Sequence, residues 1–100
     1  MKKKLLGKTG MEVSVIGFGG IPIQRLSREE VKNLITECKN RGINFIDTAR
    51  GYTVSEEYIG YALKSAGREN FYIATKAMSY TYEAMKESIE ASLKTMDLEY

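Results

Sequence analysis

Three apolar runs recur along the chain at a constant interval. They begin near Val15, Ile43 and Phe71, a step of 28 residues. Helical stripes fill the intervals. Val31, Leu34, Ile35 and Cys38 repeat at i, i+3, i+4 and i+7 behind a capping box, Ser27 to Glu30. Tyr58, Ile59, Ala62 and Leu63 form a second stripe, with Ser55 as its expected cap and Glu56 and Glu57 at its positive end. A third, Met85, Ile89, Leu93 and Met96, opens at Ser79 or Thr81. Gly42 and Gly67 supply helix stops. Apolar strands alternating with such helices predict a parallel sheet covered by helices.

Ahead of this pattern, residues 3–8 and 11–16 read as a hairpin around Thr9-Gly10. Strands are predicted over 43–47 and 71–76, and Leu98-Glu99-Tyr100 reads as the opening of another. About 30 residues per unit suits a (β/α)8 barrel, which needs roughly 250 residues. The expected fold is therefore α/β: an N-terminal hairpin plus the first three βα units of a TIM barrel, truncated before strand 4. Residues 1–100 are expected to be the N-terminal part of one domain.

A net charge of +2 argues against a nucleic-acid partner. No apolar stretch approaches the ~18 residues that a membrane span needs. One cysteine, Cys38, and no histidine leave no multi-thiolate metal site and no internal disulfide. The expectation is a soluble cytoplasmic chain whose partners are small molecules, copies of itself or the remaining half of a barrel.

The chemistry concentrates in Gly42 to Tyr52, reading GINFIDTARGY. One strand ends in Asp47, Tyr52 follows five residues later, and the next strand ends in Lys76. Barrel enzymes carry their chemistry at the C-terminal ends of the strands. A carboxylate and an ammonium delivered there can pair. A free phenol titrates near pH 10, and a neighbouring ammonium favours its phenolate. The trio therefore suits proton exchange with a carbonyl oxygen, with hydride taken from a cofactor. Gly19 and Gly20, at the end of the first strand, allow close backbone approach to a ligand. Plainer roles stay open at this point: Asp47 as a turn cap, Lys76 as a solvated strand end, Tyr52 as one of seven packing tyrosines.

Taken together, GKTGMEVSVIGFGG, GINFIDTARGY, SEEYIG and FYIATK resemble the aldo-keto reductase family, and the likeness runs along essentially the whole chain. That resemblance implies a TIM barrel and a nicotinamide cofactor, usually NADPH, with NADH as the alternative. It implies an aspartate, tyrosine, lysine and histidine tetrad acting on an aldehyde or ketone. By position, Asp47, Tyr52 and Lys76 match the first three. Tyr52 would be the general acid, Lys76 would favour its phenolate, and Asp47 would orient Lys76. Gly19 and Gly20 match the backbone near the nicotinamide, with Asp47 also on the cofactor side. The family's histidine follows its fourth strand and has no counterpart here. The 100-residue piece is thus expected to be inactive alone. Two alternatives remain: a non-catalytic partial barrel that self-associates, and a barrel lyase using Lys76 as a Schiff-base nucleophile.

Overall fold

A computed structural model describes residues 1–100. β1 (Lys3–Leu5) and β2 (Glu12–Ser14) form the antiparallel hairpin, shorter than expected. β3 (Phe18–Gly19), β4 (Phe45–Asp47) and β5 (Tyr72–Ala74) form a separate parallel sheet in that order. The first parallel strand thus begins three residues beyond Val15, because Val13 and Ser14 are used in the hairpin. Asn44 docks the hairpin onto the start of β4. Its side-chain oxygen accepts from Ser14 N–H at 2.7 Å, and its amide donates to the Glu12 carbonyl at 2.9 Å.

α1 (Arg28–Asn40) starts as the capping box predicts, with Ser27 Oγ accepting from Glu30 N–H. It ends beside Gly42 at φ +85°, a conformation costly for residues with a Cβ. α2 (Ser55–Ala66) ends likewise at Gly67, φ +90°. Its start departs from expectation. Ser55 does not cap α2; its buried hydroxyl turns inward to Thr48 Oγ1, 2.8 Å away. α3 (Tyr82–Met96) is capped by Thr81, while Ser79 pairs with Ser88 instead. No helix is long and apolar enough to cross a membrane.

The core lies between the sheet and its helices. Val31 and Ile35 of α1, Ile46 of β4, and Ile59, Ala62 and Leu63 of α2 form it, joined by Ile23, Phe71 and Met96. Burying one large aliphatic side chain contributes about 1.5–3 kcal/mol. Successive strand residues face opposite ways, so Ile46 faces the helices while Phe45 and Asp47 face the other side. Helices cover only the first face. β3 and β5 each have one sheet neighbour, β4, and so keep one unpaired edge.

β4 and β5 are shorter than the predicted 43–47 and 71–76, so Lys76 lies two residues past its strand, and two further elements differ. The α3 stripe is buried at Met96 and half-buried at Met85, yet Ile89 is 55% exposed, because no side chain covers it. Leu98 to Tyr100 forms no strand; the Tyr100 carbonyl instead accepts two N–H groups of Arg68.

The α2–α3 contact rests on Gly60. A Cβ there would fall 2.6 Å from Met96 Cα. Gly60→Ala is therefore expected to destabilise the chain by about 1–3 kcal/mol. Denaturant unfolding checks this, with Gly51→Ala, where a Cβ meets nothing, as the near-neutral comparison.

Candidate active site

The β4–β5 ladder continues past both strands. Thr48 N–H donates to the Ala74 carbonyl at 2.8 Å and Arg50 N–H to the Lys76 carbonyl at 2.9 Å. These two bonds draw the loop after β4 alongside the segment after β5. Lys76 then reaches across. Its Nζ lies 3.0 Å from Asp47 Oδ2 and 2.9 Å from the Thr48 carbonyl. It also stands over the Tyr52 ring, 4.8 Å from the centroid. Asp47, Tyr52 and Lys76 thus meet at the C-terminal ends of two adjacent parallel strands.

Electrostatics follow from that geometry. The Asp47 carboxylate, then the Tyr52 hydroxyl, hold the Lys76 ammonium above the ordinary lysine value; desolvation opposes them. The Lys76 and Asp47 side chains are 52% and 51% exposed. Exposed pairs of this kind are screened by solvent and contribute little to stability. Folding stability therefore does little to account for the pair.

Tyr52 is held by its loop. Its N–H donates to the Ala49 carbonyl and its carbonyl accepts from Ser55 N–H. Thr53 sits at φ +44°, in the left-handed region, and its hydroxyl donates to Gln24 Oε1. Strained backbone of this kind clusters at functional sites. An open cleft of about 360 Å³ adjoins, lined by Ala49, Gly51, Tyr52, Lys76, Ala77 and Met78.

The two glycines separate. Gly19 pairs with Asp47 in the sheet, is exposed, and would meet nothing within 4 Å if given a Cβ. It leaves free space on the Asp47 side. Gly20 is buried. Its N–H donates to the Asp47 carbonyl, and a Cβ would fall 2.6 Å from Ser55 Oγ. Glycine is needed at 20 for this close approach, and the residue does not face the cleft.

One residue of this region escaped sequence reading. Glu56 does not lie on the surface at the start of α2. Its side chain is 3% exposed. Oε1 accepts from Arg50 Nη1 at 2.6 Å and Oε2 from Thr75 Oγ1 at 2.8 Å. The signal was present: Glu56 stands in register with Ile59, Gly60 and Leu63, the buried stripe of α2.

The raised Lys76 value fixes the sign of a pH effect. A group whose folded pKa is raised adds stability that is fully present below its unfolded value, ordinarily 10.5 for lysine, and is lost as pH rises through the folded value. The melting-temperature gap between wild type and Asp47→Asn is therefore expected to be flat from about pH 7 to 9 and to shrink above about 10.5. Thermal melts across that range check it.

Comparison with known proteins places these residues in context. Residues 15–100 match the sequence profile of the aldo/keto reductase family. L-galactose dehydrogenase of Arabidopsis thaliana is 32% identical over 97% of this chain and 35% of its own length. A probable voltage-gated potassium channel subunit beta of the same plant is 31% identical over all of this chain and 35% of its own. Methylglyoxal reductase DkgA of Escherichia coli is 36% identical over 81% of this chain and 30% of its own. The solved holo form of an aldo-keto reductase from Bacillus halodurans superposes with a TM-score of 0.87, at 28% identity, over all of this chain and 38% of that one. This chain spans about a third of the length of these curated relatives. With a profile match over most of its length and a shared parallel α/β architecture, the chain belongs to the aldo/keto reductase family.

Proposed function

We propose that this chain is the N-terminal portion of a NAD(P)H-dependent carbonyl reductase, with Tyr52 as general acid, Lys76 as its electrostatic partner and Asp47 as the group that orients Lys76. The observation that carries this reading is the meeting of the three at the strand ends. NADPH is the cofactor proposed, with NADH as the alternative. When bound, the reduced nicotinamide supplies the hydride. The residues present fit it on one count: a Cβ at Gly19, the sheet partner of Asp47, would meet nothing within 4 Å, so the backbone there is open to a ligand. The substrate class is a small aldehyde or ketone, in keeping with relatives named as a methylglyoxal reductase and an L-galactose dehydrogenase.

The proposed work of the chain's own groups is proton handling. The Tyr52 hydroxyl gives a proton to the oxygen of the reduced carbonyl, leaving a phenolate. The ammonium of Lys76 stabilises that phenolate, and Asp47 keeps the ammonium charged and aimed. The same environment disfavours the Schiff-base lyase. A nucleophilic lysine needs its pKa lowered, whereas Lys76 is raised by Asp47 and Tyr52.

The uncovered sheet face, the exposed Ile89 and the free β5 edge support residues 1–100 being one part of a larger barrel domain. They also support the second reading, a non-catalytic partial barrel that self-associates.

The complete protein is expected to oxidise NADPH in the presence of aldehydes or ketones. Tyr52→Phe is expected to lower kcat by about 10²- to 10⁴-fold while cofactor affinity stays within a few-fold. Steady-state assays and NADPH fluorescence titration measure the two. Full activity in Tyr52→Phe would remove Tyr52 from its role. A protein of about 11.3 kDa by intact mass that sediments as an oligomer and turns over no carbonyl would favour the second reading.

A further inference from the structure

Glu56 has no place in the proton chemistry above, yet its position is hard to explain by stability. A buried carboxylate is costly to desolvate, and replacing buried ion pairs with apolar groups is often neutral or stabilising. What distinguishes Glu56 is where its two oxygens go. One holds Arg50, two residues before Tyr52. The other holds Thr75, the residue before Lys76. Arg50 also donates a side-chain bond to Thr95 Oγ1 of α3, and its backbone N–H holds the Lys76 carbonyl. A single carboxylate therefore ties together the two segments that carry Tyr52 and Lys76.

We propose that Glu56 is a positioning residue, which sets the spacing between Tyr52 and Lys76 by bridging Arg50 and Thr75 from behind the sheet. The carboxylate is anchored on the first turn of α2, a rigid element packed into the core. Its reach is fixed by both hydrogen bonds, so each strand-end segment is located against the same point. Displacement by even about 1 Å is costly for groups that must act together on one reacting centre. The proposal rests on the reductase reading for its functional meaning, but its geometric content stands apart from it.

The test uses the full chain with isotope-labelled lysine, following the Lys76 titration by NMR, alongside kcat and KM of the complete protein. The titratable groups acting on the Lys76 ammonium are Asp47 and Tyr52, beside the Thr48 carbonyl that accepts from it. Thr75→Val changes no charge and severs one arm of the bridge while leaving the Glu56–Arg50 pair. It is expected to fold, to bring the Lys76 titration down toward the ordinary lysine value, and to lower kcat about tenfold or more with KM nearly unchanged. Glu56→Gln is expected to shift both in the same direction and further.

A folded Thr75→Val chain whose Lys76 titrates as in wild type would overturn the proposal. So would a Thr75→Val chain that no longer folds, since the bond would then be a scaffold contact. A wild-type protein inactive on every carbonyl tried would sink the reductase reading, while the NMR result would still judge the bridge.

Discussion

Everything in this chain that resembles a site depends on the parallel pairing of β4 with β5 and its continuation beyond the strands. Parallel strands leave their C-terminal ends side by side. The bonds from Thr48 to Ala74 and from Arg50 to Lys76 extend that alignment into the loops. Without them, Asp47 and Lys76 would leave adjacent strands on diverging loops. With them, a lysine 29 residues later in sequence reaches the Asp47 carboxylate at 3.0 Å. The interaction itself is weak in stability terms, because it is half exposed. It is the sheet that pays to hold it.

Close approach is the second constraint, and glycine meets it at two places. Gly20 lets β3 run against Thr48 and Ser55, which pins the start of α2 to the end of β4. Gly60 lets α3 lie against α2 at Met96. Both contacts act from the helix side of the sheet. On the opposite face, open space is found at Gly19, where a Cβ would meet nothing within 4 Å. The hairpin is fastened separately, through Asn44, so its docking and the site's geometry share only the beginning of β4.

Local signals were legible where local physics decides. The Ser27 box, the glycine stops at 42 and 67, and the order of strands and helices are set by capping, backbone freedom and periodicity over a few residues. Ser55 misled, because a serine before an amphipathic stripe is an ordinary cap, and only the packing of β3 reveals that its hydroxyl is turned inward to Thr48. Ile89 misled for a related reason. Helical spacing says which residues share a face, and says nothing of whether any neighbour covers it.

By itself the sequence determined the alternation of strand and helix, the family, and the placement of Asp47 at one strand end with Tyr52 and Lys76 just beyond two neighbouring ones, since these follow from residue type and spacing along the chain. Tertiary structure alone decided that Lys76 stands over the Tyr52 ring. It also decided that Gly19 rather than Gly20 faces open space, and that Glu56 is buried as a bridge between Arg50 and Thr75. The physical reason is common to all three. Each depends on the register of one strand against another and on which face of the sheet the helices cover, and these are relations between segments distant in sequence.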